Sequence, residues 1–311
     1  MPPQREPLIR ARGLTKRFAN FTAVNGIDFD VLPGEAFGFL GPNGAGKTST
    51  MRMIGCTSPA TEGELRVMDM DPRLDASRIK ARLGVVPQQD NLDIDITVRE
   101  NLQMYARYFD IPRNTARKRT DELLHFVQLS ERANAQVESL SGGMKRRLTI
   151  ARALINEPDV ILLDEPTTGL DPQARHVIWD RLYQLKRRGA TLLLTTHYMD
   201  EAEQLCDRLV VMDKARIVAE GSPRQLIELH STREVLELRF QDGTREIANA
   251  QLEGLADRIE ALADRSLLYS ADGEQLLEEI HHRKIPIESA LVRRSTLEDV
   301  FLRLTGRTLV E

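Results

Sequence analysis

The sequence FGFLGPNGAGKT occupies residues 37–48 and gives the strongest indication of the fold. Its first four residues form a short apolar run, which is typical of a strand buried on both faces. The next eight match the pattern G-x-x-x-x-G-K-[ST], whose glycines let backbone N–H groups converge on phosphate groups at the start of a helix. A strand, a glycine-rich loop and a helix in this order predict a nucleotide-phosphate site on an α/β scaffold.

Three further apolar runs resemble the one at residues 37–40. They are Val160–Leu163, Thr191–Leu194 and Leu209–Met212. Longer segments with helical spacing separate them, and the sequence TVRE at residues 97–100 forms a capping box before one such helix. Strands that are nearly continuous in apolar residues and alternate with helices predict an α/β fold with a mainly parallel core sheet.

The composition narrows the class of protein. The 311 residues carry 43 Lys+Arg and 47 Asp+Glu, which gives a formal net charge of -4. This slightly acidic balance argues against a nucleic-acid partner, because nucleic-acid-binding domains usually have a strongly basic surface. Cys56 and Cys206 lack a paired spacing and therefore indicate neither a disulfide framework nor a metal site.

The sequence does not predict a membrane span. No run approaches the roughly 18 consecutive apolar residues of a membrane helix. Residues 1–6 (MPPQRE) lack the apolar segment of a signal peptide. We therefore expect a chain that works in the reducing cytosol, and a membrane process that it serves would need its spanning part in another polypeptide.

The pattern changes after about Ser222. Apolar and charged residues alternate over residues 236–240, and Asp242-Gly243 has the composition of a hairpin turn. Three more elements are predicted: a helix with Leu252, Leu255, Ile259 and Leu262 on one face, a strand over residues 266–270, and a last helix that begins at the capping sequence STLE (residues 295–298) and buries Phe301 and Leu304. These elements predict a small α+β domain.

Two adjacent carboxylates, Asp164 and Glu165, end the apolar run at residues 160–163. Alone, this pattern is common where a strand meets solvent. Beside a phosphate loop, carboxylates at a strand end supply the chemistry of nucleoside triphosphate hydrolysis. We therefore predict that Thr48 and Asp164 hold Mg²⁺ and that Lys47 reaches the β- and γ-phosphates of ATP. Glu165 is predicted to deprotonate the attacking water.

The segment Leu140–Arg147 (LSGGMKRR) resembles the signature sequence of ABC ATPases. Ser141 is also a good helix N-cap, and a capped helix start can bind an anion. In the family this helix start faces the γ-phosphate that the opposite subunit binds. The resemblance therefore implies a head-to-tail dimer in which Ser141, Gly142 and Gly143 complete the partner's ATP site. The basic residues 145–147 are expected to solvate the helix.

Further residues match the family in the same order along the chain. Phe18 resembles the aromatic residue that stacks on adenine, Gln88 the glutamine that senses Mg²⁺ or the attacking water, and His197 the histidine that contacts the γ-phosphate. Asp171, in the sequence GLD, resembles the aspartate that crosses the dimer interface. The match implies an ATP-binding domain over residues 8–222, with a helical subdomain at about 90–155, and leaves residues 223–311 for the small domain.

The implied site divides into three groups of residues. The catalytic group is Glu165, His197 and Gln88, and the Mg²⁺ ligands are Thr48, Gln88 and Asp164. The ATP-binding group is Phe18, Gly41, Pro42, Asn43, Gly44, Ala45, Gly46, Lys47, Thr48, Ser49, Ser141, Gly142, Gly143 and Asp171.

Several segments narrow the resemblance to an exporter branch of the ABC ATPases. They are VPQQDNLD (residues 86–93), TTGLDP (167–172), TTHYMDEAE (195–203) and LEDVFL (297–302). They resemble daunorubicin-resistance ATPases and nodulation-factor export (NodI-like) ATPases. This resemblance implies a peripheral ATPase at the cytoplasmic face of the inner membrane, beneath a separate permease. The cargo stays open among lipo-oligosaccharides, polysaccharides and drugs.

Two other classes stay open as alternatives: a soluble ABC ATPase in translation or DNA processing, and the ATPase of a solute importer. Translation-type members resemble two ATPase units in one chain, and DNA-repair members carry long insertions between the phosphate loop and the signature. Here Gly142 follows Lys47 by 95 residues, and each motif occurs once. An importer would share the catalytic motifs, but the exporter-like segments disfavour it.

Overall fold

The computed structural model describes residues 6–241 and 251–306. The chain forms two compact units, Met1–Ser222 and Pro223–Glu311. The predicted turn at Asp242-Gly243 lies outside the described residues.

Strands and helices alternate through much of the first unit. Its strands are β1 (Ile9–Phe18), β2 (Phe21–Val31), β3 (Ala36–Leu40), β4 (Glu62–Val67), β5 (Leu83–Val86), β6 (Val160–Asp164), β7 (Thr191–Thr196), β8 (Arg208–Asp213) and β9 (Arg216–Gly221). Its α-helices are α1 (Lys47–Ile54), α2 (Ala76–Ala81), α3 (Val98–Arg107), α4 (Arg113–Phe126), α5 (Gly142–Ala153), α6 (Pro172–Arg187) and α7 (Met199–Leu205).

A six-stranded sheet with the order β5-β6-β7-β3-β8-β9 forms the centre of this unit. The neighbours from β5 to β8 pair in parallel, and β9 adds an antiparallel edge. The four predicted apolar runs are β3, β6, β7 and β8, and nearly all of their residues are buried. The predicted α/β fold with a mainly parallel core sheet is therefore confirmed.

A second sheet, with the antiparallel order β2-β1-β4, was not predicted from the sequence. Its strands alternate buried and exposed residues and include register shifts, so they lack the continuous apolar run that marks the central strands. Ile9, Leu14 and Phe29 from this sheet join Phe37 and Phe39 of β3 in one core. The sheet thereby covers the central sheet and places the end of β1 near the start of β2.

Helices α3, α4 and α5 share a separate core that includes Val98, Leu102, Leu124 and Leu148. The predicted capping box is confirmed at the start of α3. The Thr97 hydroxyl accepts a hydrogen bond from the Glu100 backbone N–H, and the Glu100 carboxylate accepts one from the Thr97 backbone N–H at 2.8 Å. This helical part carries the start of α5, where the signature sequence lies.

The second unit contains a four-stranded sheet whose neighbouring strands are all antiparallel. Its elements are α8 (Pro223–His230), β10 (Glu234–Arg239), β11 (Arg258–Ala261), β12 (Ser266–Ser270), α9 (Gly273–His282), β13 (Ser289–Arg294) and α10 (Leu297–Thr305), and the strand order is β11-β12-β10-β13. Alternate residues of β10 face two different cores, one with α9 and one with α10. The predicted α+β character is confirmed.

Two details of the second unit differ from the sequence prediction. Ile259 lies in β11, so the helix predicted over residues 252–262 is wrong in its second half. An apolar spacing that suits a helix cannot exclude a short strand, and pairing with β12 decides the outcome here. The last helix is capped one residue later than predicted, by Thr296 with Asp299, and Leu304 is only half-buried.

Asp299 joins three parts of the second unit. Its side chain is 1% exposed and accepts hydrogen bonds from both terminal nitrogens of Arg293, from the Thr296 backbone N–H and from the Tyr269 hydroxyl. Burial alone would raise the pKa of Asp299, but the hydrogen bonds from Arg293 and Thr296 outweigh burial and lower it. The carboxylate therefore stabilises the folded unit while it is ionised.

We predict that Asp299→Ala destabilises the second unit by about 3 kcal/mol, because it removes a buried charge partner of Arg293 and leaves the buried Tyr269 hydroxyl without its acceptor. Hydrogen exchange of peptides from α10 in the full chain measures the loss, with the exposed neighbour Glu298→Ala as the control. Because the pKa of Asp299 is lowered in the folded chain, its carboxylate stabilises the second unit fully above the pKa of an unfolded aspartate, about 4. This stabilisation is lost as the pH falls through the folded-state pKa of Asp299. Equal protection in the two variants would contradict this role.

Candidate functional site

The phosphate loop connects β3 to α1 and needs glycine at two positions. A Cβ at Gly41 would lie 2.3 Å from the Met212 backbone oxygen. A Cβ at Gly46 would lie 2.4 Å from the Ala23 backbone oxygen, and Gly46 has a φ of 107°. The loop can therefore pack this closely only without side chains at these points. Asn43 and Gly44 are exposed at its tip.

The other loop residues lie around the start of α1. Pro42 and Ala45 are buried, while Thr48 and Ser49 are half-buried in the first helical turn. Free backbone N–H groups and the positive end of the helix dipole make such a helix start suitable for an anion.

Lys47 adds a buried positive charge to the same place. Its side chain is 4% exposed, and its Nζ donates to the backbone oxygens of Gly41 at 2.7 Å and Pro42 at 3.0 Å. Burial lowers the pKa of Lys47, while the nearby carboxylates of Glu165 and Asp164 oppose this shift. Nζ lies 3.9 Å from Oε1 of Glu165. The ammonium group thus stands between the phosphate loop and the end of β6.

Asp164 is surrounded by oxygen atoms suited to a hard cation. Its Oδ1 accepts hydrogen bonds from Oγ1 of Thr48 at 3.2 Å and Oγ1 of Thr195 at 2.6 Å. No group of three or more His, Cys, Asp or Glu side chains within residues 6–241 and 251–306 could hold a metal ion alone. A hydroxyl and one carboxylate fit Mg²⁺, which usually completes its shell with substrate phosphates and water.

Glu165 is 6% exposed, with hydrogen bonds to one carboxylate oxygen and basic groups near the other. Oε2 accepts hydrogen bonds from Nε2 of Gln88 at 3.0 Å and Oγ1 of Thr168 at 3.1 Å. Oε1 lies 3.5 Å from Nδ1 of His197. Contact with His197 lowers the pKa of Glu165, with help from Lys47 and against the effect of burial. The carboxylate therefore stays ionised and can accept a proton.

The backbone of Glu165 is strained. Its φ is 46°, in the left-handed region that costs a non-glycine residue about 1–2 kcal/mol. The Glu165 N–H donates to the backbone oxygen of Thr195 at 3.1 Å and to its Oγ1 at 3.0 Å. The turn after β6 is thus tied to the neighbouring strand β7, and the strain coincides with the candidate base.

Several predicted site residues lie apart from this cluster on exposed surfaces. Phe18, at the end of β1, is 48% exposed, and Nζ of Lys16 lies 4.7 Å from its ring centre. Ser141 and Gly142 are exposed at the start of α5, where the Ser141 hydroxyl caps the helix by accepting from the Met144 N–H. The exposed Asp171 caps α6 in the same manner.

The structure thus brings six predicted residues together and leaves four predicted residues outside the phosphate loop exposed. The six are Lys47, Thr48, Gln88, Asp164, Glu165 and His197. The four are Phe18, Ser141, Gly142 and Asp171, and Gly143 is half-buried beside them.

Sequence reasoning missed four residues near the site. Thr168 and Thr195 bind the carboxylates, and the 60% exposed Phe21 pairs with Phe18 across the first hairpin. Thr195 follows an apolar run and Thr168 follows the carboxylates, so their positions carried a usable signal. Arg146 was expected to be solvated, but it is buried and contacts the turn after β6. Because Arg146 stands among three consecutive basic residues, the sequence does not indicate that it contacts this turn.

No helix in the described residues is both long and apolar enough to span a membrane.

Comparison with known proteins identifies two families along the chain. The sequence model described as "ABC transporter" matches residues 24–168. The model described as "Nodulation factor export protein NodI, C-terminal domain" matches residues 245–306.

Curated relatives match nearly the whole chain. A protein of Ralstonia nicotianae named "Nod factor export ATP-binding protein I" is 48% identical over 97% of this chain and 95% of its own length. A protein of the same name from Cupriavidus metallidurans is 46% identical over 97% of this chain and 98% of its own.

Solved structures match the first unit's type of fold. A dimeric ATP-binding cassette in a post-hydrolysis state with ADP and Pi has a TM-score of 0.63 and 28% identity, over 69% of this chain and 98% of that one. An ATP-binding subunit of an ABC transporter has a TM-score of 0.65 and 27% identity, over 71% of this chain and 92% of that one. The chain therefore belongs to the ABC transporter family as an ATP-binding subunit that hydrolyses ATP, in the branch of the nodulation factor export ATP-binding proteins.

Proposed function

We propose that this chain drives export through a separate permease by closing and reopening an ATP-bound dimer of itself. The observation that carries the proposal is the arrangement around Glu165, which binds Gln88 and lies beside His197 and Lys47. The exposed start of α5 supports the dimeric half of the proposal. The domains are residues 8–222 for ATP binding, with a helical subdomain at about 90–155, and residues 223–311 for a small C-terminal domain.

The first step is ATP binding. Phe18 stacks on the adenine ring, and the loop from Gly41 to Ser49 surrounds the phosphates with backbone N–H groups. Lys47 exchanges its carbonyl partners for the β- and γ-phosphates, which better match a buried ammonium group. Thr48, Asp164 and Gln88 would hold Mg²⁺, which would supply positive charge beside the phosphate oxygens.

The second step is hydrolysis. Glu165 orients the attacking water and takes its proton, because its carboxylate is ionised and two of its partners can donate hydrogen bonds to it. His197 contacts the γ-phosphate from the end of β7. Gln88 links this chemistry to the helical subdomain, since its side chain donates to Glu165 while its backbone leads towards α3.

The third element is the head-to-tail dimer. Ser141, Gly142 and Gly143 of one chain contact the γ-phosphate bound by the other, and Asp171 crosses the interface. If each ATP favours the closed state by about 2.7 kcal/mol, two give about 5.4 kcal/mol. Moving a two-state equilibrium from 1:99 to 99:1 needs about 5.5 kcal/mol. On that assumption, two ATP molecules supply nearly all of the free energy that closes the dimer, and loss of the γ-phosphate contacts reopens it.

A groove near Gln88 is our proposed contact for the permease. Val85, Pro87 and Tyr105 are among its lining residues, together with Tyr108, which is 72% exposed. Tyr105 and Phe109 also pack against each other within the helical part, so the more exposed Tyr108 is the best permease contact of the three aromatic residues. The permease places the subunit at the cytoplasmic face of the inner membrane, as a peripheral protein.

Our proposal for the cargo rests on the branch of the family. Relatives named for Nod factor export match this chain through the second unit as well as the first. This match favours export over the importer and the soluble alternatives. We propose a lipo-oligosaccharide as the cargo, ahead of polysaccharides and drugs.

Glu165→Gln tests the base. We predict that kcat falls by at least about 100-fold, because the amide cannot take a proton. ATP binding and ATP-dependent dimers should persist, since the phosphate loop is unchanged. Phosphate release measures the rate, size-exclusion chromatography with ATP measures the dimer, and the exposed Glu122→Gln in α4 is the control. Full ATPase activity in Glu165→Gln would contradict the assignment.

Ser141→Arg tests the composite site. An arginine at the exposed start of α5 should prevent ATP-dependent dimers and reduce hydrolysis at least about tenfold, because each site would lack its contact from the partner. Nucleotide binding by the monomer should stay unchanged in fluorescence titration. Ser130→Arg, at another exposed serine in the helical part, should retain activity. Hydrolysis untouched by Ser141→Arg would show that the signature does not complete a partner's site.

A further inference from the structure

Arg146 lies in α5 one turn beyond its start and is 4% exposed. Each of its three nitrogen atoms donates to a group outside the helix. Nε donates to the Pro166 backbone oxygen at 2.7 Å, Nη1 to the Pro87 backbone oxygen and to Asp90, and Nη2 to the backbone oxygens of Asp164 at 3.1 Å and Glu165 at 3.0 Å. These five acceptors equal in number the N–H groups of a guanidinium.

The acceptors belong to the two segments that set the catalytic geometry. Three are consecutive carbonyls of the turn that carries Glu165, whose backbone is in the left-handed region. The fourth is the carbonyl of Pro87, immediately before Gln88, and the fifth is on Asp90, two residues after Gln88. Gln88 and Glu165 also bind each other at 3.0 Å. One side chain thus binds the backbone on both sides of the Gln88–Glu165 hydrogen bond.

The N-terminal end of α5, the helix that carries Arg146, is exposed on the surface of the chain. Ser141 caps the helix there, and Ser141 and Gly142 are exposed. Arg146 follows Ser141 by five residues on a helix that continues to Ala153, so a shift of the helix start moves the guanidinium with it. We propose that Arg146 is a positioning residue, which transmits contact between this helix start and the partner's ATP to Glu165 and Gln88 of its own chain. This inference rests on the proposed dimer.

The neighbouring Arg147 makes its hydrogen bonds within the helical part and serves as a comparison for Arg146. Arg147 donates to the backbone oxygens of Val127 and Gln128, at the end of α4, and so ties two helices of the same part together. Arg146 instead connects that part to the end of β6 in the central sheet. Burial lowers the pKa of Arg146, with Asp90 as the largest opposing influence, and guanidinium remains charged under such shifts. Its planar fork suits several carbonyls at once, which a lysine cannot reproduce.

The test compares Arg146→Met with Arg147→Met in the full chain. We expect both to bind ATP as the unmodified chain does in fluorescence titration, because the hydrogen bonds of Arg146 go to the turn after β6 and to residues near Gln88. We expect Arg146→Met to lower kcat by roughly tenfold or more. Its Hill coefficient for ATP should fall from above one towards one, because the two ATP sites of the dimer are no longer coupled. Arg147→Met should keep the cooperativity.

Arg146→Lys is the second variant, and it should fold, retain the charge and still lose cooperativity. Unchanged kcat and Hill coefficient in Arg146→Met or Arg146→Lys would overturn the inference. Equal loss of kcat and cooperativity in Arg146→Met and Arg147→Met, or failure of both Arg146 variants to fold, would assign Arg146 to stability alone and also overturn it. Absence of ATP-dependent dimers or of cooperativity in the unmodified chain would instead reject the proposed function itself.

Discussion

Holding a triphosphate next to an ionised carboxylate is the constraint on which this structure depends, because the two negative groups repel each other. The chain meets it with parallel strands whose carboxyl ends share one edge. There β3 delivers the phosphate loop and Lys47, β6 delivers Asp164 and Glu165, and β7 delivers Thr195 and His197. Lys47 lies between the phosphate loop and Glu165, and the hydroxyls of Thr48 and Thr195 bind Asp164.

The sequence predicted this edge well because continuous apolar strands and short motifs are local signals. The four central strands followed from apolar runs, and the phosphate loop followed from glycine spacing. The outer sheet was missed because β1 and β2 alternate exposed and buried residues and shift register. The burial of Arg146 was missed for another reason. Its partners lie 18 to 59 positions away along the chain, and residue type alone favours solvation.

The exposed residues explain why one chain is only half of the proposed motor. Ser141, Gly142 and Asp171 serve as local helix caps or turns, yet their surfaces stay open to a second molecule. A helix start that is capped and exposed is stable alone and can still bind an anion. Through Arg146, contact between the start of α5 and the partner's ATP is transmitted to Glu165, because Arg146 binds the strained turn that carries this residue. The proposed cycle thus uses elements that are already ordered in the single chain.

In the proposed dimer, the signature of one chain meets the phosphate loop of another only when ATP is bound. Chains with Asn43→Cys can be mixed with chains with Ser141→Cys, both in a background with Glu165→Gln and Cys56→Ser, and treated with a short bifunctional maleimide. We expect a cross-linked pair of the two different chains when ATP and Mg²⁺ are present, and loss of that pair without nucleotide. Cross-linking that ignores ATP, or that joins only chains carrying the same cysteine, would contradict it.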